Sequence, residues 1–122
     1  MTTPIRTERL ELRAPDPADL DGYAAMFADV EVLRLIGDGT AATRAETAEW
    51  LERTIRRNAS EGWDRRSVVR VADGELLGWC GIARHEVEGS AEPELGYVLG
   101  RAHWGKGYAT EAALTLLYAW EG

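Results

Sequence analysis

The chain has 122 residues, one cysteine and two histidines, and a formal net charge of −7 from 14 basic and 21 acidic side chains. That length fits one domain able to bury more than about 60% of its unfolded surface, so residues 1–122 are read as a single domain. One cysteine, Cys80, excludes an intrachain disulfide and a thiolate zinc cluster, and His85 and His103 lack metal-ligand spacing, so no metal is expected. The acidic balance repels a nucleic-acid backbone and mildly favours cationic ligands such as amines.

The N-terminal stretch MTTPIRTERLELR alternates charge with apolar residues and lacks the apolar core of a signal peptide. No apolar run reaches membrane-spanning length. A soluble, cytoplasmic domain without a membrane partner is expected. RLELR places Leu10 and Leu12 on one face and reads as a half-buried strand ending at Pro15. Asp16-Pro17 supplies an N-cap with proline in the first turn, and Leu20, Tyr23, Ala24 and Phe27 follow at helical spacing. Thr43-Arg44-Ala45-Glu46 is a capping box, with Trp50, Leu51 and Ile55 as one stripe behind it.

The period then changes. Ser67 to Val71 is β-rich, Asp73-Gly74 signals a tight turn, and Leu76 to Ala83 is a second strand. Gly78 and Gly81 inside that strand point to a bulge or a close backbone approach. A polar loop is expected over His85 to Ala91, before PELGYVLG alternates again over 93–99. Finally Ala109, Ala112, Ala113, Leu116, Leu117 and Trp120 form a wide apolar helical stripe. The predicted order is β-α-α-β-β-β-α. This is an α+β fold with helices on a mostly antiparallel sheet.

Between the last strand and the last helix lies HWGKGYATEA. A helix N-terminus leaves backbone N–H groups unpaired and carries partial positive charge. Gly105, Gly107 and Ala109 would let successive amides curl around a phosphate pair, Lys106 adds a cation, and Thr110 adds a hydroxyl. A flexible turn into an ordinary helix reads equally well from the loop alone. GRAHWGKG nearly matches the triphosphatase loop, but Gly107 replaces the Ser or Thr that would bind Mg²⁺. The dinucleotide fingerprint fails too, because Thr110 replaces its third glycine. A nucleotide-binding enzyme is therefore a minor alternative.

Taken in order, TERLELR, DPADLDGYAAMFAD, the Leu77-Gly78-x-x-Gly81 strand, ELGYVL and WGKGYATEA resemble the GNAT superfamily of acyl-CoA-dependent N-acetyltransferases. The similarity is strongest to the branch containing the ribosomal-protein N-terminal acetyltransferases. Trp104-Gly105-Lys106-Gly107-Tyr108-Ala109 fits the superfamily's pyrophosphate signature with Trp104 in place of its first residue. The resemblance implies that acetyl-CoA is the co-substrate and that this loop holds its phosphates. It also implies that Tyr97, Val98 and Leu99 hydrogen-bond the pantetheine arm through their backbone. An amide of Val98 or Leu99 would then serve as an oxyanion donor.

Amine attack needs a proton acceptor, and Glu94, at the start of the strand that would hold the thioester, is the candidate base. Glu92, of the same parity, is a second choice. A solvated strand-end carboxylate is the competing reading of Glu94. Trp50, Trp63 and Trp79 either line an acceptor pocket or belong to the core. Cys80 reads as a core thiol, and Tyr118 falls outside the matching motif. Family members continue past residue 122 with further strands, so the domain is expected to be truncated after the cofactor-binding helix. That would leave the last strand and helix with an uncovered flank, and a homodimer is expected. The expected function is acetyl transfer from acetyl-CoA to a primary amine. The alternative is a non-catalytic acyl-CoA-binding or dimerisation module.

Overall fold

A computed structural model describes residues 3–58 and 63–119, apart from the side chains of residues 63, 84–87, 91 and 92. Strand β1 (Ile5–Arg6) pairs with β2 (Leu10–Arg13), and three helices follow: α1 (Leu20–Phe27), α2 (Val30–Leu33) and α3 (Arg44–Arg57). Strands β3 (Trp63–Arg70), β4 (Leu76–Val87) and β5 (Ser90–Leu99) then lead to α4 (Tyr108–Ala119). The five strands form one antiparallel sheet in the order β1-β2-β3-β4-β5. The expected antiparallel α+β architecture is therefore present, with β1 and α2 added to the predicted order.

Local chemistry explains the helix starts. Asp16 accepts from the Ala18 N–H at 2.8 Å, Asp19 accepts from the Asp16 N–H at 3.0 Å, and Pro17 opens the 3₁₀ turn that runs into α1. Thr43 and Glu46 make the reciprocal pair at the start of α3, and Asp29 caps α2 through the Glu31 N–H. The α2 segment is only four residues long, too short for a periodic pattern to announce it.

The alternation of each strand splits the core in two. Leu10, Leu12, Val68, Leu77, Cys80, Ile82 and Leu99 pack beneath Tyr108, Ala112 and Leu116 of α4. Tyr23, Phe27, Val32, Leu51 and Val98 form the second cluster, under α1 and α3. Leu117, predicted for the apolar stripe, is instead 39% exposed, and Tyr118 is 89% exposed; Trp120 lies outside the described residues. The sheet buries the Tyr108-Ala112-Leu116 line, with Ala109 and Ala113 packed half-buried beside it, and leaves Leu117 at the margin.

The expected polar loop over 85–91 is not a loop. Strands β4 and β5 continue through it as a hairpin closed at Glu88-Gly89, with φ of 51° and 83°. Two successive positive φ values mark a turn whose twist matches that of the strands. Among the described residues, the β3–β4 pairing ends at Trp63 and Ala83, and residues 84–87 pair with β5. The signal was hidden because the sequence over 84–91 lacks the apolar alternation that announces a strand. The expected irregularity at Gly78 is present: Val68 pairs with Gly78 but Val69 with Leu76, so Leu77 is an extra residue. A Cβ at Gly78 would lie 2.0 Å from the Val98 carbonyl oxygen, so only glycine lets β4 run this close to β5.

Candidate active site

Beyond β5, a 3₁₀ turn (Arg101–His103) leads to Trp104-Gly105-Lys106-Gly107 and then α4. Gly105 and Gly107 have φ of 74° and 80°, the left-handed region that glycine occupies without strain. The Glu111 N–H closes on the Gly107 carbonyl at 3.0 Å, so the N–H groups of residues 108–110 precede the helical ladder. They point with the positive end of the α4 dipole. Among the described residues, nothing lies within 4 Å of where a Cβ at Gly105 would sit. The backbone there is open to a bulky anion.

This loop is one wall of a cleft of about 570 Å³. Tyr97, Val98, Leu99, Trp104, Gly105, Gly107, Tyr108, Ala109 and Thr110 all line it. The structure thus brings together nine of the ten residues predicted to bind the cofactor. Lys106 is not among the lining residues; its side chain is exposed and its carbonyl accepts a bond from Arg9. The side chains of Val98 and Leu99 are buried in opposite core clusters, so any polar contribution they make comes from backbone. As the last strand of the sheet order, β5 turns half of its backbone groups away from β4. Trp104 reaches back from the loop and donates its indole N–H to the Leu99 carbonyl at 2.9 Å.

Sequence reasoning missed the opposite wall. Glu31, Val32, Leu35 and Ile36, in and just after α2, face the loop together with His103. Asp29 at the start of α2 is paired with Arg101, which ties this wall to the turn after β5. His103 is largely buried, and burial holds its imidazole below the ordinary value of 6.5, partly offset by Glu75 at 3.8 Å. Its Nδ1 is buried without a hydrogen-bond partner among the described residues.

Glu94 is elsewhere. It is exposed and lines a separate groove of about 260 Å³ with Asp64, Arg65, Trp79, Gly81 and Gly96 among its neighbours. Residues 94, 96 and 98 share one strand face, and Val98 packs in the α1/α3 cluster, so Glu94 belongs to the sheet face opposite α4. Arg65 lies 4.0 Å over the Trp79 ring, which floors this groove. Trp50, by contrast, packs edge-on to Tyr23 and Phe27 and belongs to the core. The side chains of Glu92, His85 and Trp63 lie outside the described residues. Cys80 is fully buried and desolvation pushes its thiol up to about 12, as befits a core residue.

The model of the acetyltransferase (GNAT) domain matches residues 9–122. The uncharacterised N-acetyltransferase p20 of Bacillus licheniformis is 35% identical over 114 residues, covering 93% of this chain and 63% of that protein. The crystal structure of a GNAT-family acetyltransferase from Bacillus anthracis superposes with a TM-score of 0.77 at 26% identity, covering 96% of this chain and 66% of that one. The fold is also that of RimL, a ribosomal L7/L12 α-N-protein acetyltransferase solved with coenzyme A, at a TM-score of 0.76, 20% identity and coverage of 98% and 70%. The chain spans about two thirds of the length of these relatives. With the domain model covering nearly its whole length and these motifs meeting in one cleft, the chain belongs to the GNAT acetyltransferase family.

Proposed function

We propose that this domain binds acetyl-CoA and transfers its acetyl group directly to a primary amine, on a protein N-terminus or a small molecule. The observation that carries the reading is the cleft that joins the two left-handed glycines, the α4 N-terminus and the outer edge of β5. The loop amides and helix dipole suit the pyrophosphate, and the β5 edge suits the amide-bearing pantetheine arm. In the transfer, the amine nitrogen bonds to the thioester carbon, the C–S bond breaks, and coenzyme A leaves as the thiol. A backbone N–H of Val98 or Leu99 would face the oxygen on which negative charge grows. Glu94, across the sheet edge from the loop, would take the proton from the incoming ammonium, directly or through water. The groove holding Glu94 and Trp79 is the proposed acceptor side. Self-association as a homodimer is part of this reading, supported by exposed Leu114, Leu117 and Tyr118 on α4.

Calorimetry with coenzyme A and with ATP–Mg²⁺ tests the cofactor, and thiol release from acetyl-CoA with a panel of amines and N-terminal peptides tests the transfer. Coenzyme A binding without ATP binding is expected; the reverse overturns the reading. Binding without thiol release for every acceptor would favour the acyl-CoA-binding module. In an active protein, Glu94→Gln is expected to slow turnover about a hundredfold and to change the shape of the pH profile. An unchanged profile removes Glu94 from the role of base.

A further inference from the structure

Arg9, immediately before β2, reaches the glycine loop across almost the whole length of the chain. Its Nη1 donates to the Lys106 carbonyl at 2.9 Å and its Nε to Glu111 Oε1 at 2.7 Å. Its guanidinium carbon lies 4.4 Å from the Tyr108 ring centroid, and its Nη2 is 3.4 Å from where a Cβ at Gly107 would sit. The Arg9 N–H donates to Glu111 Oε2 at 3.1 Å, and the Thr7 hydroxyl donates to the same oxygen. Residues 7–9 therefore touch 106, 107, 108 and 111, which are the loop and the first turn of α4. Arg9 itself is not among the residues that line the cleft.

We propose that Arg9 is a positioning residue for the phosphate loop, a latch that holds the 105–109 backbone in its anion-binding shape before the ligand arrives. The inference rests on the coenzyme A reading above. Two left-handed glycines make this the most permissive backbone in the site, and ordering such a segment on binding costs affinity. Arg9 removes that cost by bonding the carbonyl between the glycines and filling the space that Gly107 leaves empty. It also solves an electrostatic problem. Glu111 complements the α4 dipole but would repel phosphates bound at the same helix end. Burial works to raise the Glu111 pKa, but the bonds from Thr7 and Arg9 outweigh it and hold the carboxyl below its usual range. The ion pair with Arg9 offsets that negative charge where an anion must approach.

Calorimetric titration of coenzyme A into the full chain tests the latch. Arg9→Gln is expected to weaken binding about tenfold, the scale of a lost charged hydrogen bond. Arg9→Lys, which keeps the charge but not the fork, should fold and lose about threefold. Glu111→Gln separates positioning from charge. Removing a carboxylate beside an anion site would tighten binding by charge alone, whereas the latch predicts about threefold weaker binding. Leu51→Ala, in the α1/α3 cluster, should lower stability and leave coenzyme A affinity within twofold. The proposal is overturned if both Arg9 variants bind like the wild type, if Glu111→Gln binds tighter, or if Leu51→Ala loses as much as Arg9→Gln. A wild type that takes up no coenzyme A would instead overturn the cofactor reading.

Discussion

The two faces of the sheet are built by different means. Under α4 the cluster is mostly aliphatic: Leu10, Leu12, Val68, Leu77, Ile82, Leu99 and Leu116. Under α1 and α3 a polar chain runs through the buried layer beside the aromatic rings. Arg13 donates twice to Asp19, Ser67 donates to Asp19 at 2.9 Å, and Tyr23 meets Ser67 Oγ at 2.8 Å and the Gly78 carbonyl at 3.1 Å. The aliphatic face is held by shape, with its directional bonds at the start of α4, where Thr7 and Arg9 bond Glu111, and it presents the glycine loop through α4. The polar face has directional bonds that meet at Asp19 and reach, through Ser67 and Tyr23, the Gly78 carbonyl, where β4 presses against β5. A hydrophobic layer suffices to seat a helix, whereas holding a strand out of regular register calls for hydrogen bonds of fixed geometry.

The largest expected effect tests the polar face. Asp19 is 6% exposed, and burial works to raise its pKa, but bonds from Arg13, the Asp16 N–H and Ser67 hold the carboxyl below its ordinary range. Asp19→Ala would leave Arg13 and Ser67 without their acceptor and should cost about 4 kcal/mol in denaturant unfolding. A loss under about 1 kcal/mol would mean that the chain of bonds does not hold this face together. Next comes the aliphatic face. Leu116 is 1% exposed, and Leu116→Ala should cost about 3 kcal/mol through lost burial and a residual cavity. Because that layer can relax around a cavity, the Leu116 variant should leave less damage per buried atom than the Asp19 variant.

The same contrast governs what could be read in advance. Leu10 and Leu12, the Thr43-Glu46 box and the Gly105–Ala109 loop were legible because each obeys a local rule of alternation, capping or backbone freedom. The α4 line was legible in part, since Leu117 obeys the helical period but falls outside the width the sheet covers. Residues 84–91 misled because RHEVEGSA lacks apolar alternation although its backbone pairs as a hairpin. The α2 wall and the Arg9 latch were invisible for another reason. Val32, Leu35 and Arg9 take their place through contacts across the fold, and no spacing in the sequence encodes those. Glu94 was expected at the start of its strand, but β5 begins at Ser90, so Glu94 lies mid-strand, on the sheet face away from α4.

The smallest effect separates the two faces by pH. His103, beside the glycine loop, is held below the ordinary 6.5 chiefly by burial, with Glu75 acting against that and Arg70 and Lys106 adding to it. The unfolded chain takes up this proton near 6.5 and the folded protein only at lower pH. Stability from the buried neutral ring is therefore fully present above about 6.5 and is lost as pH falls through that value. The carboxylates act in a different window. Asp19 and Glu111 are held below their ordinary values, and Asp73, paired with Arg70, is held at about 2. Their contributions persist until the pH drops below the unfolded carboxylate range near 3.8 to 4.5. Denaturation of wild type and His103→Gln at pH 7.5 and 5.5 should show a steeper loss in the wild type. Parallel losses would mean that the imidazole is protonated equally in both states and that the loop side carries no titration of its own. Asp19→Ala should leave this slope untouched, since its carboxylate stays ionised throughout that range on the other side of the sheet.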